Sequence, residues 1–241
     1  MAERLAVHGL VRDFGAGAGV FGIDLTVHPG EIHALVGLNG AGKTTLMRLV
    51  LGMLRPTAGT CRINGRHLAD LTAADWGRVG HLVEHPLAYP ELDVRTNLVL
   101  AARLRRVPAA EATGLAERAL AELDLGRYAR ITARRLSQGN RQRLGLAAVI
   151  QHHPDLIVVD EPTNALDPAG VIVLRDALSR RAEAGAGILV SSHHLDEVAR
   201  IAHRISVVNR GRIIGTLDPD ATDLERAFFT LVYDDEREHP R

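Results

Sequence analysis

The chain has 241 residues, 46% of them hydrophobic and 24% charged, which is ordinary globular usage and excludes a disordered, collagen-like or disulfide-scaffold protein. Lys+Arg and Asp+Glu number 29 each, so the formal net charge is zero, which disfavours direct binding to nucleic acid or a polybasic hold on a membrane. Of the 29 basic residues 28 are Arg and one is Lys, at Lys43. Drift toward Arg wherever only a positive charge is needed leaves Lys where a guanidinium cannot substitute, so Lys43 marks a site before any motif is sought. The single cysteine, Cys61, excludes an internal disulfide and a Cys-based zinc site. The first ten residues, with Glu3, Arg4 and His8, lack a signal-peptide apolar core. No apolar run approaches the roughly 18–20 residues that span a bilayer. A cytosolic protein is expected, reaching any membrane only through a partner.

In chain order, Leu5–Val11, Gly22–Val27 and Gly59–Ile63 read as β-like segments punctuated by Gly and Pro, which predicts an antiparallel β layer. Ile32–Val36 is a buried strand, apolar apart from His33. Leu46, Leu49, Val50 and Met53 then fall on one helical face, closed by Arg55-Pro56. After a strand at Val79–Val83, the stretch from about 86 to 153 is rich in Ala, Leu and Arg without strand signal. It predicts an inserted helical subdomain, with helices over Asn97–Leu104, Ala109–Leu123 and Arg141–His152. Leu156–Val159, Ile188–Ser191 and Ile205–Val208 are further buried strands, suited to a parallel sheet covered on both faces. Between the first two lies a helix with Asp167 as N-cap, Pro168 at its first position and Gly185 just past its end. The charged tail, residues 233–241, is expected to fray. The predicted fold is α/β, a single domain over 1–241.

Gly37-Leu38-Asn39-Gly40-Ala41-Gly42-Lys43-Thr44 fits the phosphate-loop pattern G-x-x-x-x-G-K-[ST] and stands between a predicted strand and a predicted helix. The glycines let backbone N–H groups wrap phosphate oxygens, and the helix adds its positive dipole end. Gly37, Asn39, Gly40, Ala41, Gly42, Lys43, Thr44 and Thr45 are therefore candidate nucleotide-binding residues in a P-loop NTPase core. Lys43 would bridge the β- and γ-phosphates as a compact charge, and Thr44 would ligate Mg²⁺. Leu156–Glu161 is a buried strand ending in two acids. Asp160 can hold the Mg²⁺ shell and Glu161 can polarise a water in line with the γ-phosphate, since strand ends beside a phosphate loop are where ligands sit in open α/β sheets. Ser137 and Gly139 open a helix, where a hydroxyl and unpaired N–H groups favour an anion.

Leu136-Ser137-Gln138-Gly139-Asn140-Arg141-Gln142-Arg143 resembles the LSGGQ signature of ATP-binding cassette (ABC) ATPases, with Gln138 and Asn140 departing from it. Asn164-Ala165-Leu166-Asp167 resembles the D-loop, Ser191-Ser192-His193 the switch histidine, and Phe14 the aromatic that stacks on adenine. The resemblance runs from about Leu5 to about Leu217. It implies ATP and Mg²⁺ as ligands and Glu161, His193 and Lys43 as catalytic residues. It also implies a head-to-tail dimer, with itself or a paralogue, in which each ATP lies between one phosphate loop and the partner's Ser137–Gly139. The family usually offers Gln where this chain has Glu84, within Glu84-His85-Pro86-Leu87-Ala88-Tyr89-Pro90. Glu84 can still ligand Mg²⁺ but adds a negative charge. A Glu followed by Pro and Tyr-Pro resembles the ATPases of bacitracin- and lantibiotic-type export and self-protection systems. The implied function is the ATPase subunit of an exporter of a drug, peptide antibiotic or lipid-like substrate, on the inner face of the cell membrane, driving a separate permease. A soluble ABC ATPase acting on ribosomes or DNA usually carries two cassettes or long coiled-coil insertions and basic surfaces, so a single cassette at zero net charge argues against it. A small-molecule kinase would not explain Ser137–Gly139, Asp167 and His193 in order.

Overall fold

The computed structural model describes residues 3–86 and 88–238. Met1, Ala2, Leu87 and the last three residues of the tail lie outside them. Strands β1 (Leu5–Gly15), β2 (Ala18–Val27) and β3 (Ile32–Val36) lead into helix α1 (Lys43–Val50), followed by β4 (Ala58–Ile63), the short β5 (Arg66–His67), α2 (Ala73–Trp76) and β6 (Val79–Leu82). Three helices come next: α3 (Val94–Leu104), α4 (Ala109–Glu122) and α5 (Gln138–Ile150). The chain then runs through β7 (Leu156–Val159), α6 (Pro168–Glu183), β8 (Gly187–Ser192), α7 (Leu195–Ala199), β9 (Arg204–Asn209), β10 (Arg212–Leu217) and α8 (Leu224–Glu238).

A four-stranded antiparallel sheet has the order β2-β1-β4-β5, and a six-stranded sheet the order β10-β9-β3-β8-β7-β6. Within the larger sheet only β10 runs antiparallel to its neighbour. The continuous apolarity of β3, β7 and β8 follows from cover on both faces. Side chains alternate across the strand, so Ile157 and Val159 of β7 join the core under the helices, whereas Leu156 and Val158 join the core beneath α1 and the antiparallel layer. The carboxyl ends of β3, β8 and β7, adjacent in the sheet, deliver the phosphate loop, the Ser191–His193 turn and the Asp160–Glu161 pair to one edge. Arg181 of α6 ties the helical block to this core through Glu122 at 2.7 Å and the Ile150 carbonyl at 3.1 Å.

The strands expected at Ile32–Val36 and Leu156–Val159 have those bounds, and Asp167 caps α6 through the Gly170 N–H at 2.8 Å. Two expectations are corrected. Helix α1 stops at Val50, and Met53 lies beyond it, half exposed; Gly52 takes φ 68° and the Met53 N–H turns back to the Arg48 carbonyl. The tail does not fray from Tyr233, because α8 carries it to Glu238. Phe228 and Val232 are buried, Leu231 packs on Gly215, and Asn209 donates to Asp235 at 2.8 Å, so these contacts hold a helix that its acidic end hides in the sequence.

Candidate nucleotide site

The phosphate loop begins where β3 ends. Gly42 caps α1 at φ 107°, a left-handed conformation open to glycine, and its carbonyl accepts the Leu46 N–H. Lys43 is only 6% exposed. Its ammonium donates to the Gly37 carbonyl at 2.7 Å and lies 3.6 Å from Glu161 Oε1. A guanidinium would present its donors in a fixed planar fork instead of from one compact charge. Thr44 projects its hydroxyl from the first turn of α1 onto Asp160 Oδ2 at 2.6 Å.

Ser191, at the end of β8, links the two acids at the end of β7. Its hydroxyl donates to Asp160 Oδ1 and accepts the Glu161 N–H at 2.9 Å. Glu161 is held at φ 47°, an uncommon backbone conformation for a residue with a β-carbon. The turn aims its carboxylate between Lys43 and His193. His193 Nδ1 lies 2.6 Å from Glu161 Oε2, and the His193 N–H donates to the same oxygen at 3.3 Å. Lys43, Thr44, Asp160, Glu161 and His193, drawn from three segments of the chain, thus form one connected cluster.

Phe14 is 52% exposed and lines a cleft of about 310 Å³ with Asn39, Gly40, Ala41, Gly42, Lys43, Thr44 and Thr45, while Arg12 lies 5.1 Å over its ring. Ser137 and Gly139 line neither this cleft nor the larger one, about 750 Å³, that holds Thr44, Glu84, Asp160 and Glu161. Ser137 caps α5 by accepting the Asn140 N–H at 3.3 Å. A side chain at Gly139 would stand 2.6 Å from the Ala165 carbonyl oxygen, so its identity is already required by packing within the chain. Asp167 has its carboxyl held below the usual carboxylate range by the Gly170 N–H and by Arg143, the latter at 2.6 Å. Glu84 pairs with Arg48 of α1 rather than with Thr44 or Asp160.

Three contributors went unmarked in the sequence. Ser191 stood beside His193 but its link between the acids needed the β7–β8 register. Arg48 pairs with a residue 36 positions away, a relation without sequence signal. Asn97, 6% exposed, accepts the Tyr89 N–H at 2.7 Å and donates to the Tyr89, Leu92 and Asp93 carbonyls at 3.0–3.1 Å, fixing the loop beyond Glu84. A polar residue on the inner face of a helix was the available sign.

A family model described as ABC transporter matches residues 20–164. The chain belongs to the ABC transporter family. This ABC protein is an ATPase whose hydrolysis is coupled to transport. It is similar to the bacitracin transport ATP-binding protein BcrA of Enterococcus faecalis, 38% identical over 85% of this chain and 66% of that protein. It is also similar to the lantibiotic transport ATP-binding protein SrtF of Streptococcus pyogenes, 30% identical over 97% of this chain and 99% of that one. The ABC chain therefore spans about two thirds of the first relative's length and nearly all of the second's. Among solved structures, that of an ATP binding subunit of an ABC transporter superimposes with a TM-score of 0.82 at 30% identity, covering 94% of this chain and 93% of the other.

Proposed function

We propose that this ABC ATPase powers export of a drug, peptide antibiotic or lipid-like substrate through a separate permease subunit, working at the inner face of the cell membrane. In this reading residues 1–241 form one ATPase domain with the helical subdomain inserted at about 86–153. The observation that carries the proposal is the connected cluster of Lys43, Thr44, Asp160, Glu161 and His193, in a chain whose relatives are named for transport of bacitracin and lantibiotics.

Lys43 binds the β- and γ-phosphates, where an ammonium supplies three donors to closely spaced oxygens. Phe14 stacks on the adenine across the cleft. Thr44 and Asp160 offer a hydroxyl and a carboxylate 2.6 Å apart, an oxygen donor set of the kind Mg²⁺ takes together with phosphates and water. Bound there, Mg²⁺ would neutralise charge on the phosphate oxygens. Ser191 holds Asp160 for that role and fixes the backbone of Glu161. Glu161 accepts the proton of the attacking water, and His193 sets the direction of its carboxylate.

Ser137 and Gly139, at the start of α5, serve the ATP of a second subunit in a head-to-tail dimer. The groove of about 500 Å³ lined by Trp76, Tyr89, Leu104 and Ala148 receives the permease. Among the described residues no helix is long and apolar enough to cross a membrane. Glu161→Gln keeps the shape of the site and removes the proton acceptor. It should bind ATP and elute as a dimer on size exclusion while turnover falls by about 100-fold or more. Wild-type turnover by that variant would overturn the assignment.

A further inference from the structure

The loop leaving β6 carries Glu84 at φ 71°, a left-handed conformation that a residue with a β-carbon keeps only where its surroundings hold it. Its carboxylate is ion-paired with the Arg48 guanidinium. Arg48 lies four residues after Thr44 on α1, one turn further along the same helical face. Glu84 also lines the cleft that holds Thr44, Asp160 and Glu161. Three carboxylates therefore share a cleft that borders the phosphate loop at Thr44. Glu161 faces Lys43, and Asp160 accepts from two hydroxyls. Glu84 takes its neutralising charge from Arg48.

We infer that Arg48 is a positioning residue, the counter-ion that offsets the charge of Glu84 and competes with the divalent cation for its carboxylate. The inference rests on the nucleotide reading above. Without Arg48, the Glu84 carboxylate would repel the triphosphate when no divalent cation is present. When the cation is present, the same released carboxylate becomes one more oxygen ligand for it. Loss of Arg48 should therefore change how much the metal contributes to nucleotide binding, beyond any change in affinity itself.

The test is a titration of the purified chain with a fluorescent ATP analogue, once in Mg²⁺ and once in EDTA, for wild type, Arg48→Gln, Glu84→Gln, the double variant and Arg48→Lys. The quantity read is the ratio of the two affinities, with thermal unfolding of the nucleotide-free proteins as the control for folding. Arg48→Gln should raise the metal's contribution about 2- to 5-fold, the scale set by an ion pair whose side chains are 35% and 50% exposed. Glu84→Gln should lower it, and adding Arg48→Gln to Glu84→Gln should leave it where Glu84→Gln alone put it. Arg48→Lys, which keeps the charge, should stay near wild type. The same shift with and without Glu84, or no shift in either background, would overturn the inference. If Arg48→Gln does not fold, an unchanged ratio in Glu84→Gln overturns it equally. A wild-type protein that binds the analogue in neither buffer would instead overturn the nucleotide reading on which it stands.

Discussion

Asn97→Leu keeps the volume of a buried side chain and removes every polar contact it makes. The Tyr89 N–H loses its acceptor at 2.7 Å, and the carbonyls of Tyr89, Leu92 and Asp93 lose a donor. One amide group has two hydrogens for those three carbonyls, so the loss amounts to about three hydrogen bonds, each with a net worth of about 1 kcal/mol. Tyr89 is 47% exposed, so water can reach part of what is released, which brings the expected loss to about 2 kcal/mol. Urea unfolding followed by far-UV circular dichroism reads this directly. With a slope of about 3 kcal/mol/M, the midpoint should fall by about 0.7 M. Asn97 does not line the cleft around Phe14 and the phosphate loop, so ATP affinity should be unchanged. A midpoint shift below about 0.2 M would refute the claim that Asn97 pins this loop, since the orphaned groups alone should cost more.

Stability should also fall in mild acid. Burial pushes the His33 ring down to about 4 and the His152 ring down to about 3, so the folded protein keeps both neutral after the unfolded chain, near 6.5, has begun to bind protons. Above pH 6.5 neither residue affects stability. Between pH 6.5 and about 4 each removes up to about 1.4 kcal/mol per pH unit, and His152→Phe should make the measured slope shallower. The wild-type slope in that variant would contradict the assignment. Phe228→Ala should cost about 3 kcal/mol by emptying the contact that docks α8, and urea unfolding should show it. A change below about 0.5 kcal/mol would mean that α8 is held by its polar contacts alone, as single surface changes have effects of that size.

Chemistry that demands particular residue types at fixed spacing was legible in the sequence. The phosphate loop, the strand ending in Asp160-Glu161, and Ser137 capping the α5 helix all declare themselves this way. Each is local, and each sits at the end of a strand or the start of a helix that the apolar pattern already marks. Contacts created by the sheet were not legible. Ser191 reaches Asp160 only because β7 and β8 are parallel neighbours in that register. Arg48 meets Glu84 only because the loop after β6 returns toward α1. Helix α8 was hidden because its buried face is chiefly Phe228 and Val232, followed by the acidic run from Asp234 to Glu238. The β9–β10 hairpin did carry a sign, Arg210-Gly211 between two apolar stretches, and both residues adopt positive φ. The signature also reads differently in three dimensions. Gly139 is required by the Ala165 carbonyl, so its presence alone is a packing fact.

The most direct test of the account returns to the single lysine among 29 basic residues. Lys43→Arg preserves the charge and changes only its shape and its donor geometry. ATP hydrolysis by the purified protein, measured as phosphate release, should fall by about 100-fold or more in kcat/KM, because the planar guanidinium cannot take the place of a buried ammonium at the phosphates. Hydrolysis at the wild-type rate by a folded Lys43→Arg protein would contradict the claim that this cluster is the site of ATP chemistry.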